Sequence, residues 1–402
     1  MYEILNNKEN NNILNINNNN NSIFKIDSIN INNEKNFINR QINRRNYGID
    51  LLRIISMINI INLHINIYSR VLFIDFTSHL HKPVWILEIF SYWPVNSFGL
   101  ISGIVGYKKY KFSNLMYIWI QVSFYSIIIS LYLYIKNIIK VKDLILSFFP
   151  ILIKRHWYVN AYFSMYLFLP FINNGIKNLD RNELRNIITF LIAFYSLYNL
   201  WGVIIINQGF PQLSNGFSGL WLTILYIFGA YLGKYIIINI NRNNYPKIFY
   251  FLVFLFSSFF NSEFYFKILN SNYKNKRQIL INYTSPIVIL QAFSLLMIFS
   301  RINILNKYII KFISFFSPLT FSVQIIHSRI FTSVPKIFIF FRWVRQFNPN
   351  TIFFKIYGLS IIIYFICALV DYMRLLIFKL FKIREFCSFI EKNFPKLMNR
   401  LL

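Results

Sequence analysis

From residue 49 onward the chain repeats one feature ten times: an apolar run close to the ~20 residues a helix needs to cross the hydrocarbon of a bilayer, bounded by polar breaks. The runs cover approximately 49–69, 84–106, 115–135, 157–173, 186–206, 217–235, 248–266, 281–300, 312–333 and 352–373. A soluble fold would have to bury all of them in one core, which a chain of 402 residues cannot build. The predicted class is therefore all-α, a polytopic membrane helical bundle of about ten transmembrane helices. Asp143 to Ile153 is also apolar, but it is too short to span and Pro150 interrupts it. It reads as an interfacial or re-entrant piece.

Composition agrees with this class: 56% of residues are apolar, 20% aromatic and only 14% charged. The net charge of +28, from 42 Lys and Arg against 14 Asp and Glu, would suggest nucleic acid on a soluble domain. Here the bases fall between the apolar runs, where cations hold loops at lipid headgroups, so membrane lipid is the expected partner and nucleic acid is not. Flanking bases number 22 on the side that holds the N-terminus and 14 on the other, which places both termini in the cytoplasm. Cys367 and Cys387 are too few for a disulfide framework and read as packing residues.

Residues 1–46 hold eighteen Asn and no sustained period, so this segment reads as a disordered, Asn-rich cytoplasmic tail with no signal-peptide pattern. The membrane domain is expected over 47–385, and 386–402 as a basic cytoplasmic tail.

The first run contains the chemistry. Asp50, Arg53 and His64 interrupt it, and an ionisable group inside a span costs roughly 2.5–3.5 kcal/mol on insertion scales. Arg53 and His64 are eleven residues apart, which on a helix brings them within about 20° of one face and separates them by roughly 16 Å. A guanidinium offers a fork of donors to phosphate or carboxylate, and a neutral imidazole accepts a proton near pH 7. Together they read as an anion clamp plus a general base. Each also has a structural alternative: a snorkelling Arg that fixes helix depth, and a His in an interhelical hydrogen bond. Asp50, three residues before Arg53, reads as its structural partner.

The spacing of Arg53 and His64 resembles the acyltransferase-3 family of multi-pass membrane acyltransferases, which carry an Arg, ten residues and a His in the first span. Pro94, Val95, Asn96, Ser102 and Gly103 resemble the family's second span, and His156 to Asn173 its aromatic fourth span. Further stretches, "SGLWLTILYIFGAYLGKY", "NYTSPIVIL", "SPLTFSVQIIH" and "VDYMRLLIF", extend the likeness in order over roughly residues 44–385. The chain departs at Ile104, where an aromatic commonly follows Ser-Gly, and at Ser322 and Gln324, which replace a Gly and a Tyr before His327.

The resemblance implies transfer of an acyl group, commonly acetyl from acetyl-CoA, to a hydroxyl of a carbohydrate or other cell-surface acceptor, lipid-linked acceptors included. Acyl-CoA is then a co-substrate, bound through its phosphates at Arg53, with His64 as the base, and no metal is expected. Asn96, Ser102 or a backbone N–H at a Gly could donate to the oxyanion that develops on the thioester. Glu88 could pair with His64, His79 or His81, or sit at the interface. His327 could be a second functional His or a packing residue. His79, His81 and Asp75 read as a solvated loop, Asp371 and Arg374 as a structural pair, and Arg155 with His156 as a possible acceptor contact at the membrane surface. The rival reading from another class is a transporter or flippase for a glycan or small molecule, in which the same ionisable groups bind substrate or relay protons.

Overall fold

The computed structural model describes residues 45–401 apart from 109, 152–156, 207–208, 238–244, 271–277 and 334–340, with backbone alone for 333 and 394–401. The compact unit begins at Tyr47. Residues 1–44 of the N-terminal tail, Arg155 and His156 lie outside the described residues. Among those described, every regular element is helical. That is the expected solution where no water is present to satisfy backbone N–H and C=O groups.

Helix α1 (Tyr47–Tyr68) begins the membrane unit, followed by α2 (His81–Phe90), α3 (Pro94–Gly106), α4 (Phe112–Ile135), the short α5 (Val141–Leu146) and α6 (Trp157–Asn178). Next come α7 (Arg181–Ile206) and α8 (Gly219–Ile237), each containing a π-helical stretch, then α9 (Lys247–Leu269) and α10 (Pro286–Phe299). The chain ends with α11 (Lys307–Phe316), α12 (Thr320–Ser333), α13 (Ile352–Leu380) and α14 (Ile383–Leu401).

Eight segments are long and apolar enough to cross a membrane: α1, α4, α7, α8, α9, α10 with the turn before it, α11 with α12, and α13. The other two expected runs take different forms. The second is broken at Ser91–Trp93, where Pro94 starts α3: proline has no N–H to leave unpaired at that position, and its fixed φ suits a helix start. Its two halves, α2 and α3, are 10 and 13 residues long. The fourth run forms the 22-residue α6, whose Asn residues and Pro170 make it more polar than the others.

Burial sorts the helices into central and peripheral. In α1 and in the Ile279–Phe299 segment 72% of the apolar window is buried, against 17% in α7. The peripheral helices expose rows of large apolar side chains, such as Leu252, Phe256 and Phe259 on α9 and Ile362, Ile366 and Leu369 on α13. Such rows suit acyl chains rather than water. Polar side chains point inward instead: Asn62, Asn66, Asn96, Ser258, Gln291, Asp371 and Arg374 are all buried.

Two details fix the frame around α1. Helix α3 packs against α8 without space for a side chain at the crossing: a Cβ on Gly103 would strike the Tyr226 carbonyl, and one on Gly229 would strike Leu100. Small residues allow this backbone approach in lipid, where van der Waals contact drives helix association. On α13, Asp371 accepts from Arg374 Nε at 2.7 Å and Nη2 at 3.0 Å, and from Tyr125 Oη of α4 at 2.6 Å. Arg374 Nη1 also donates to Tyr117 Oη at 2.9 Å, so both charges of this buried pair are hydrogen-bonded and α13 is tied to α4.

Candidate active site

A cavity of about 360 Å³ opens within the bundle, and Arg53 and His64 both line it. Besides α1, its walls come from the broken α2–α3 segment, from α4 and α6, and from the α11–α12 junction. The interruption between α2 and α3 puts Glu88 and Tyr92 on the wall, α3 adds Val95, Phe98 and Ser102, and α6 adds Trp157, Tyr158 and Tyr162. The turn between α11 and α12, where Pro318 begins a 3-10 turn, contributes Ser317, Pro318, Thr320, Phe321 and Gln324.

At one end, Arg53 Nη1 donates to Asp50 Oδ1 at 2.7 Å. Asp50 is buried and also accepts from Ser317 Oγ at 3.2 Å, so it holds the guanidinium against the α11–α12 turn. Arg53 keeps 26% of its side chain exposed and acts electrostatically on Tyr158 and Tyr162 of α6. Ser102 and Tyr162 also line the cavity, continuing a polar strip from Arg53 along the wall.

At the other end, His64 Nδ1 lies 2.9 Å from His327 Nε2, and His327 Nδ1 lies 2.5 Å from the Val323 carbonyl oxygen. A carbonyl only accepts, so the proton of neutral His327 sits on Nδ1 and its Nε2 holds a lone pair. His64 Nδ1–H then donates to that lone pair. The remaining nitrogen of His64, Nε2, is left as a base. His64 lines the cavity whereas His327 is 1% exposed and does not, so the buried imidazole fixes the tautomer of the accessible one. Tyr68 and Phe331 flank the pair, with ring centroids 6.1 and 6.5 Å from that of His64.

Glu88, only 3% exposed, lines the cavity and accepts from Asn66 Nδ2 at 2.8 Å. Its expected partners differ from those found. His81 is buried at the start of α2, with Nδ1 at 3.2 Å from the Ile74 carbonyl and Nε2 at 3.4 Å from Tyr265 Oη, so the stretch from Asp75 to His81 is only partly solvated. His79 and Asp75 are exposed, and no group of three or more possible metal ligands occurs among the described residues. Asn96 is absent from the lining: Nδ2 donates to the Tyr283 carbonyl at 2.9 Å and Oδ1 accepts from Trp221 Nε1 at 3.1 Å. It braces the wall from behind.

Sequence reasoning did not single out Tyr92, Tyr162, Phe217 or Tyr283, and it met Trp157 and Tyr158 only as surface aromatics and Gln324 only as a departure from the family pattern; all seven line the cavity. Tyr158 and Tyr162 could have been found from their spacing of four on a helix that also carries Pro170. Gln324 carried a signal too, as a polar residue three positions before His327. Ser322, the other departure near His327, accepts a hydrogen bond from Gln121 Nε2 of α4, so the local packing is closed by a polar pair.

The sequence model of the acyltransferase-3 family, described as an acyltransferase domain, matches residues 46–369. No curated protein and no solved structure matches the chain. The family match spans all the elements that build the cavity, from the start of α1 to within α13. The chain belongs to the acyltransferase-3 family and is a multi-pass integral membrane acyltransferase.

Proposed function

We propose that this protein is an acyl-CoA-dependent O-acyltransferase that moves an acyl group, acetyl in the simplest case, to a hydroxyl of a carbohydrate or other cell-surface acceptor. The observation that carries this reading is the His64–His327 hydrogen bond, which leaves a basic nitrogen facing a cavity whose other end holds Arg53. The fork of Arg53, steadied by Asp50, suits a CoA phosphate entering from the cytoplasm. His64 Nε2 takes the proton of the acceptor hydroxyl as its oxygen attacks the thioester carbon. The C–O bond forms, the C–S bond breaks, and the same proton passes to the departing thiolate, giving an ester and free CoA thiol. Ser102, Tyr162 and Gln324 are among the polar side chains on the wall that can donate to the oxyanion in between.

The direct test is release of free CoA thiol from acetyl-CoA by the protein in lipid, wild type beside His64→Ala, with a crude cell-surface glycan extract as acceptor. Removal of the base should lower turnover by about 10²–10⁴-fold while membrane insertion stays intact. Undiminished release in the His64→Ala protein would remove the base assignment. No release by folded wild type from acetyl-CoA or longer acyl-CoA donors would favour a transport role for the same cavity.

A further inference from the structure

The two ends of the cavity hold ionisable groups of opposite kind. Arg53 sits at one end with Asp50 as its counter-ion, whereas Glu88 lies toward the His64 end and forms no ion pair with a described residue. Among the described residues its hydrogen bond comes from the neutral amide of Asn66. Charge on a carboxyl left in that state inside a membrane is costly, and a cation bound beside it would offset that cost.

The surroundings of Glu88 narrow the kind of cation. Tyr92 and Tyr283 stack with centroids 4.7 Å apart, Trp157 stacks on Tyr283 at 6.1 Å, and Phe217 closes against both Trp157 at 4.5 Å and Tyr283 at 5.0 Å. All four rings line the cavity, and Glu88 acts electrostatically on the two tyrosines. The site is also rich in acceptors that lack donors: Asn66 Oδ1, beside Glu88, and Gln324 Oε1, on the wall, are buried without a hydrogen-bond partner. An ammonium group brings three donors and a positive charge, and it gains from aromatic faces within about 6 Å. A neutral sugar hydroxyl would supply a donor but leave the carboxylate uncompensated.

We infer that the Glu88 end is the acceptor subsite and that it takes an acceptor bearing a protonated amine, such as an amino sugar, held by the Glu88 carboxylate and the Tyr92–Tyr283–Trp157 wall. The inference rests on the acyltransferase reading above, since the hydroxyl to be acylated must then reach His64 Nε2. The cavity would sort the two substrates: the anionic donor gains charge-assisted contacts at Arg53, and the cationic acceptor gains them at Glu88. This positions donor and acceptor at opposite ends without a moving part.

Equilibrium dialysis of the full-length protein in lipid, using methyl glucosaminide and methyl glucoside as matched probes, reads the subsite without requiring turnover. Wild type should bind the amine at least tenfold more tightly, and Glu88→Gln, which keeps the volume and an acceptor for Asn66, should bring the two within about twofold. Tyr92→Leu should weaken the amine alone by about fivefold. Retained acetyl-CoA binding in both variants serves as the control for folding. No preference for the amine in wild type, or an undiminished preference in Glu88→Gln, would overturn the inference. Amine selectivity that depends on Glu88, with no acyl transfer to any acceptor, would uphold the subsite and sink the acyltransferase reading instead.

Discussion

The catalytic proposal turns on one proton. Because the Val323 carbonyl can only accept, it fixes the proton of His327 on Nδ1, and that in turn fixes the proton of His64 on its own Nδ1. His327 is thus a positioning residue, and its variants should behave unlike those of a packing residue. His327→Ala leaves the buried Nδ1–H of His64 without its acceptor, so kcat should fall by roughly 10–100-fold, less than the ~10²–10⁴-fold attached to the base itself, with KM for acetyl-CoA unchanged. His327→Gln restores an acceptor oxygen and should recover most of that loss. Steady-state kinetics on both variants separate the outcomes: equal losses, or a change in KM alone, would assign His327 to packing. The first-span residues were legible because charge inside a lipid-compatible helix has a cost that demands a partner. His327 was ambiguous because its partner lies 263 positions away, and no local rule links α1 to α12.

At the scale of elements, the runs that formed uninterrupted apolar helices were legible from hydropathy alone. The broken second run was not, because its composition stays apolar through the break: Phe90, Tyr92 and Trp93 are as compatible with a continuous helix as with a turn, and Pro94 is tolerated at either a start or a kink. Seating α3 on α8 is the step that fixes the α3 wall of the cavity. Gly103→Ala should therefore cost roughly 1–3 kcal/mol through overpacking, seen as a lower Tm, because the obstacle is the Tyr226 backbone, which cannot swing aside. A Tm equal to wild type would mean that α8 is not fixed there.

The amphipathic α14 makes a different kind of contact: Glu391 accepts from the Phe112 N–H at 2.7 Å and Ser113 Oγ at 2.6 Å, at the start of α4. Partial burial there pushes its carboxyl up, but the bonds from Ser113 and Phe112 and the nearby charge of Lys111 outweigh it and hold the group below its usual value of 4.5. A depressed carboxylate stabilises docking above its unfolded pKa and loses that contribution as pH falls through the folded one. Hydrogen exchange in α14, corrected for the intrinsic pH dependence of amide exchange, should therefore rise below about pH 4.5 in wild type and be independent of pH over that range in Glu391→Gln. An acid-induced rise of the same size in the Gln variant would place the titrating group elsewhere.

For the whole molecule, the mechanism requires that the Arg53 end of the cavity face the compartment that holds acyl-CoA. The flanking-charge bias predicts a cytoplasmic start of α1, and with it the loop between α1 and α2 on the other side and α14 on the cytoplasmic side. Cysteine labelling tests this directly, since native Cys367 and Cys387 are both buried and should react little. Thr77→Cys lies in the exposed α1–α2 loop and Lys392→Cys on the exposed face of α14. In sealed cells a membrane-impermeant maleimide should label Thr77→Cys and spare Lys392→Cys until the membrane is opened. The reverse pattern would put Arg53 on the side away from cytoplasmic CoA. The fork could not then serve as the donor's phosphate clamp, and the assignment of the two ends of the cavity would have to be exchanged or abandoned. Labelling as expected would leave the Glu88 end toward the far side, where an acceptor destined for the cell surface would enter without crossing the path of the donor.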